Sequence, residues 1–373
     1  MNNDRLILVA AGGTGGHLFP AEALSHALVA RGCRVHLATD ERALRYGGAF
    51  PAEEIHEIAS ATPTGGGLPA KFFAALKLAQ GVAQAYRLLG SLKPRAVVSF
   101  GGYPTVPPAL AASLRKIPLV LHEQNAVMGR ANKFLAARAQ AIASGFPNLA
   151  GVSDALRSRV KHVGNPVRPA VLEAAALPYP GFADGKLRLL VTGGSQGARV
   201  FSDVVPAALA LLPPELRARI VLVQQARGED LFRVRDALAK LAITAEVEPF
   251  FADLPGRIAA AHLVIGRSGA STVSELAVIG RPSILVPFPF ALDADQAANA
   301  EHLAQTGAAE VIRQPDFTPE ALAARLSAAF HNFEGLDFEG LTRRAAAAKS
   351  AGVPDAAERL ADLTLLLAGL NKP

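Results

Sequence analysis

The chain has 373 residues, half of them apolar, with a mean hydropathy of +0.25 and a formal net charge of +6. That size fits two domains of ordinary length with a substantial core. One cysteine, Cys33, excludes a disulfide framework and suits a reducing compartment.

The charge is lopsided. Residues 1–165 hold 18 Lys and Arg against 9 Asp and Glu, a net +9, and the remainder hold 20 against 23, a net −3. No acidic residue falls between Glu57 and Glu123, where Lys71, Lys77, Arg87, Lys93, Arg95, Arg115 and Lys116 all lie. Such one-sided charge points to an anionic partner: phosphate, nucleic acid or a membrane surface.

In chain order, Leu6–Ala11 is an apolar run that fits a parallel strand covered on both faces. Gly12-Gly13-Thr14-Gly15-Gly16-His17 follows, with a helix expected from near Pro20. Glycines let the backbone turn sharply and approach a ligand, and a helix N-terminus beyond them favours an anion. The alternative is a tight strand-to-helix turn with a surface histidine. No signal peptide is expected, because the first apolar run is short and ends in glycines. The longest uncharged stretch, Ala96–Leu114, is broken by Gly101-Gly102-Tyr103-Pro104 and Pro107-Pro108, so it does not suit a membrane span. A soluble protein is expected.

Strands are expected at 34–39, 96–100 and 119–122, the last two leading into Gly101-Gly102-Tyr103 and His122-Glu123-Gln124-Asn125. Ligands of open α/β sheets bind at that carboxyl edge. Asn125 also suits a helix N-cap before Arg130. Between these strands, 68–89 has helical spacing. Phe72, Phe73, Leu76, Val82, Tyr86 and Leu89 form an apolar stripe flanked by Lys71, Lys77 and Arg87. It suits either an interfacial amphipathic helix or a core helix with a basic edge, and the early aromatics favour the membrane surface. No nucleic-acid signature accompanies the basic window.

Gly164-Asn165-Pro166-Val167-Arg168-Pro169 interrupts the pattern and reads as a linker. The pattern then restarts: Leu187–Thr192 is again a strand, and Gly193-Gly194-Ser195-Gln196-Gly197-Ala198 again a glycine turn opening a helix. Two facing Rossmann-like domains, with parallel sheets and a central ligand cleft, are the expected α/β architecture. Leu18 and Ala198 spoil the dinucleotide fingerprint, and no Walker lysine follows either turn. Gly193-x-Ser195-x-Gly197 matches a hydrolase nucleophile elbow, but it comes after a complete domain and lacks an oxyanion segment. Further strands are expected at 220–224, 245–249, 263–266 and 283–286. Thr272 and Glu275 match a capping box, although a carboxylate there also suits ribose hydroxyls. Asp293-x-Asp295 resembles a metal motif, but acids are common at helix starts.

In this order, the glycine turns, Gly101-Gly102-Tyr103, His122–Asn125, Gly164–Arg168, Arg267-Ser268-Gly269-Ala270 with Glu275, and Asp295-Gln296 with Asn299-Ala300 resemble the MurG family. The resemblance covers nearly the whole chain. It implies a GT-B fold: residues 1–163 as an acceptor- and membrane-binding domain, 164–169 as hinge, 170–345 as a UDP-GlcNAc-binding domain, and 346–373 returning to the first. The implied reaction is inverting transfer of GlcNAc from UDP-GlcNAc to the C4 hydroxyl of MurNAc in lipid I, giving lipid II. No cofactor is implied, no metal held by a D-x-D motif, and no nucleic-acid partner. The implied location is peripheral, on the cytoplasmic face of the bacterial inner membrane, with Lys71, Phe72, Phe73, Leu76 and Lys77 as lipid contacts. Carried over by position, His17 becomes the candidate general base and Glu123 the reserve. Thr14, Gly15 and Gly16 line the donor–acceptor diphosphate junction, with Tyr103 among the substrate-binding residues. Ser195 and Gln196 hold the diphosphate, with Arg168 adding charge. Phe250 and Phe251 meet the uracil, largely by backbone, Ala270 is among the substrate-binding residues, and Glu275 takes the ribose. Asn125, Asp295 and Gln296 take sugar hydroxyls. Some relatives carry Gln or His where Asp295 stands. The readings kept beside this one are a UDP-GlcNAc 2-epimerase of related fold, a nucleotide-sugar sensor and a serine hydrolase using Ser195.

Overall fold

A computed structural model of the protein describes residues 5–12, 15–41, 50–61, 67–194, 197–291, 294–330 and 339–370, with side chains except at 68–71. The chain divides into two compact units, residues 1–168 with 353–373, and residues 169–352.

The first unit is built on a seven-stranded sheet in the order β3-β2-β1-β4-β5-β6-β7. Its strands are β1 (Leu6–Ala10), β2 (Arg34–Thr39), β3 (Glu54–Glu57), β4 (Ala96–Ser99), β5 (Leu119–Glu123), β6 (Ala141–Ser144) and β7 (Val160–His162). Every pair is parallel, so the loops after β1, β4 and β5 share one edge. β1 explains why its sequence is apolar at every position. Ile7 and Val9 pack with helices Gly15–Ala30 and Ala356–Leu367, while Leu8 and Ala10 pack on the opposite face with helices Leu68–Leu92 and Val106–Leu114. The carboxyl-terminal helix is fastened to the first by Arg31, which pairs with Glu358 and with Asp362.

The second unit carries a six-stranded sheet in the order β10-β9-β8-β11-β12-β13. Its strands are β8 (Leu187–Thr192), β9 (Ile220–Gln225), β10 (Thr244–Glu248), β11 (Leu263–Gly266), β12 (Ser283–Leu285) and β13 (Ala309–Val311), again all parallel. Leu187, Leu189 and Val191 of β8 pack with Phe201 and Val205 of helix Arg199–Ala210 and Leu326 of helix Pro319–Phe330.

Several expectations are corrected. The first helix starts at Gly15, so Pro20 lies inside it and leaves the Gly16 carbonyl without its helical donor. Residues 163–167 are buried within the first unit, where Asn165 donates to the Gln124 carbonyl at 2.8 Å. The chain leaves that unit only after Arg168. Position 345 falls inside helix Glu339–Ala351, whose Ala345 and Ala348 are buried in the second unit, and the return begins at Val353. The stripe on helix Leu68–Leu92 is also divided. Leu89 is buried against the core, whereas Phe72, Phe73 and Leu76 are 62%, 68% and 51% exposed. Among the described residues no helix is long and apolar enough to cross a membrane.

Candidate active site

In the first unit, the glycine turn, the Gly101–Tyr103 loop and the Glu123–Gly129 loop meet at the carboxyl edge of β1, β4 and β5. A Cβ on Gly12 would lie 2.8 Å from that of Pro104 and 3.1 Å from the Asp40 carboxylate, so only glycine fits that approach. Gly102 has φ +79°, and its Cβ position lies 3.6 Å from His17 Cε1. His17 is half-buried, as are Tyr103 and Asn125, whereas Gly15 is buried and Gly16 exposed. Burial lowers the pKa of His17, against a hydrogen bond to the Gly12 backbone. A neutral imidazole can accept a proton. Beside it stands His122, fully buried, with Nε2 3.1 Å from the Gly164 carbonyl oxygen and its ring 5.1 Å from that of Phe100. Burial takes the His122 pKa down to about 4.

Glu123 is 2% exposed, and both of its oxygens are engaged. Oε1 accepts from the Asn125 backbone N–H at 3.1 Å and from Asn125 Nδ2 at 3.4 Å. Oε2 accepts from the Gly129 N–H at 2.9 Å and from Asn132 Nδ2 at 2.8 Å. Burial pushes its pKa up, and these donors oppose the shift. The carboxylate therefore ties the Asn125 loop to helix Arg130–Leu135. Asn125 does not cap that helix, whose N-cap is Gly129. Arg168 places its guanidinium 4.0 Å from the centre of the Phe19 ring on helix Gly15–Ala30.

The second unit repeats the device. Gly194 and Gly197 both have positive φ, +79° and +68°, on either side of positions 195 and 196. Thr14, Ser195 and Gln196 lie outside the described residues, as does the side chain of Lys71. The turn is held by Gln225 at the end of β9, a residue the sequence reading missed. Its Oε1 accepts from the Gly193 N–H at 3.0 Å and from Thr192 Oγ1 at 3.2 Å. Its Nε2 donates to the Gly194 carbonyl at 3.0 Å and the Pro249 carbonyl at 3.1 Å. One buried amide thus joins the glycine turn to the loop carrying Phe250 and Phe251. Phe250 is exposed, while Phe251 is buried under the Arg257 guanidinium, 4.3 Å from the ring centre.

The loops after β11 and β12 are laced to helix Asp295–Gln305. Arg267 donates to the Val286 carbonyl at 3.0 Å and to Gln314 Oε1 at 2.6 Å, and burial takes its pKa down to about 10. Ser268 Oγ donates to the Gln296 carbonyl at 2.8 Å, and Gln296 Oε1 accepts from the Phe288 N–H at 3.0 Å. The carboxylate of Asp295 accepts from the Gln296 N–H at 2.9 Å, while Asp293 lies outside the described residues. Helix Ala270–Ile279 has Gly269 as its N-cap, so Thr272 is already helical and the expected capping box does not form. Glu275 sits in the second turn of that helix, buried, as is Ala270.

Two parallel-sheet α/β units, in each of which a central strand runs through a glycine turn into a helix, are the plan of the GT-B fold, and the family models make the chain a glycosyltransferase. Family models agree: the glycosyltransferase family 28 N-terminal domain matches residues 7–144 and its C-terminal domain residues 188–360. A UDP-N-acetylglucosamine–N-acetylmuramyl-(pentapeptide) pyrophosphoryl-undecaprenol N-acetylglucosamine transferase from Methylorubrum populi is 59% identical over 360 residues, 96% of each chain. The protein of the same name from Mesorhizobium japonicum is 56% identical, over 97% of this chain and 95% of that one. The crystal structure of Acinetobacter baumannii MurG superposes with a TM-score of 0.76 at 30% identity, covering 97% of this chain and 99% of that one. The chain belongs to glycosyltransferase family 28 and, within it, to the MurG family.

Proposed function

We infer that this chain transfers GlcNAc from UDP-GlcNAc to the C4 hydroxyl of MurNAc in lipid I, with inversion, giving lipid II. The observation that carries this reading is identity of 59%, across 96% of both chains, with a relative that bears the name of that transferase.

The geometry supports a division of labour. His17 is the general base: burial keeps it neutral, and it lies at the rim of the glycine turn against Gly102. Glu123 acts through Asn125 rather than on the proton, because its oxygens already serve Asn125, Gly129 and Asn132. Thr14, Gly15 and Gly16 line the donor–acceptor diphosphate junction, with Tyr103 among the substrate-binding residues. Ser195 and Gln196, between two glycines of positive φ, receive the UDP diphosphate, and backbone N–H groups with the helix dipole stabilise the leaving group. Arg168 adds positive charge. Phe250 and Phe251 meet the uracil, largely by backbone, and Glu275 the ribose, with Ala270 among the substrate-binding residues, while Asn125, Asp295 and Gln296 take sugar hydroxyls. Exposed Phe72, Phe73 and Leu76, with Lys77 next to Leu76 and Lys71 next to Phe72 in the chain, dock on the cytoplasmic face of the inner membrane.

The test is UDP release from UDP-GlcNAc by the purified chain, with and without a short-chain lipid I analogue. Release that requires the acceptor is expected. Acceptor-independent UDP accompanied by ManNAc would instead mark an epimerase and overturn the reading.

A further inference from the structure

Outside the residues assigned to transfer, the edge of the first sheet gathers three metal-type side chains. β2 and β3 are parallel, with His36 opposite Glu54 and Ala38 opposite His56. Side chains alternate along a strand, so His36 on β2 and Glu54 and His56 on β3 project from the same face. Val35 and Leu37 fill the core on the other face. His36 Nδ1 lies 2.9 Å from His56 Nε2, with the rings stacked at 5.1 Å. Glu54 Oε2 is 3.8 Å from His36 Nδ1, and Glu54 Oε1 is 3.7 Å from His56 Nδ1. One ligand atom from each of the three lies within 4.8 Å of the others.

We propose that His36, Glu54 and His56 form a site for a divalent transition-metal cation, with Zn2+ the best match. Two imidazole nitrogens and one carboxylate oxygen are a zinc donor set, whereas Mg2+ and Ca2+ prefer oxygen alone. Ligand atoms around tetrahedral zinc stand about 3.3 Å apart, so the two nitrogens need only part slightly and exposed Glu54 swing inward. A second feature suits the same site. His36 is 4% exposed, and its Nε2 has no hydrogen-bond partner among the described residues. That nitrogen faces Glu53 Oε2 at 3.7 Å, and Arg34 holds the Glu53 carboxylate at 2.6 Å. A metal on Nδ1 puts the proton on Nε2, directed at Glu53, which is the carboxylate–histidine–metal arrangement. The cation would pin the edge strand β3 to β2.

The test uses the full chain stripped with a chelator and titrated with Co2+ as a visible-absorbing substitute for zinc. A saturable ligand-field band at one Co2+ per chain, displaced by Zn2+, is expected. His56→Gln and Glu54→Gln change a half-buried and an exposed side chain, so the fold should persist, as circular dichroism would verify. Each should weaken Co2+ binding at least ~tenfold. Zn2+ should also raise the unfolding midpoint of the parent chain but not of His56→Gln. Absence of the band, or a band unchanged in either variant, overturns the proposal.

Discussion

His17 and Glu123 stand next to the same loops, yet their surroundings differ in the way the two roles proposed for them require. His17 is half-buried, with a pKa below its ordinary 6.5 because burial disfavours the imidazolium. Only the neutral ring accepts a proton, so turnover should fall as pH drops through that lowered pKa, and His17→Ala should lose the acidic limb. His17→Ala should also cut kcat by ~10²–10⁴-fold without loss of fold. Glu123→Gln is the informative partner. It sets an amide N–H against N–H donors that Glu123 now satisfies, so stability in urea should fall by ~1–3 kcal/mol. The acidic limb should persist in that variant, whereas its disappearance would make Glu123 the base. His122 adds a stability signature. Its pKa is about 4 in the fold against 6.5 when solvated. Between those values the unfolded chain binds a proton that the folded chain does not. Stability should therefore fall, as pH drops from 6.5 to 4, by up to about 3 kcal/mol from this group alone, and His122→Gln should flatten that part of the slope.

At the scale of elements, helix Leu68–Leu92 shows what a pattern can and cannot tell. Its spacing marks an apolar helix, but spacing does not separate the half packed on helix Val106–Leu114 from the half that leaves Phe72, Phe73 and Leu76 in solvent. Burying a phenylalanine is worth ~1.5–3 kcal/mol. Phe72→Ser with Phe73→Ser should therefore weaken sedimentation with anionic vesicles at least ~tenfold, and undiminished sedimentation would contradict the membrane assignment. The strands divide in the same way. Apolar runs such as Leu6–Ala10 and Leu187–Thr192 are legible because both faces are covered. β3 reads Glu-Ile-His-Glu and β7 Val-Lys-His, short edge strands whose polar side chains carry no apolar signal, and they were missed along with β6 and β13. Gln225 was missed for a related reason. A glutamine at the end of a strand is unremarkable until the fold sets it between Gly193 and Pro249.

For the molecule as a whole, the repeated strand, glycine turn and helix made the two-unit plan legible, because backbone geometry demands glycine at such turns. The crossing points were less so. Pro166 and Pro169 suggested a free linker, but Asn165 beneath the Gln124 carbonyl keeps the segment in the first unit as far as Arg168. The charge asymmetry follows the same division. The first unit's basic, acid-free window suits an anionic lipid surface and a diphosphate-linked acceptor, where each basic residue near the surface is worth ~1 kcal/mol. The most direct measurement is the structure of the product formed from UDP-GlcNAc and a lipid I analogue, by mass spectrometry and NMR. The account predicts one added GlcNAc, β-linked to C4 of MurNAc. An α linkage, attachment elsewhere, or an unmodified acceptor beside consumed donor would contradict it.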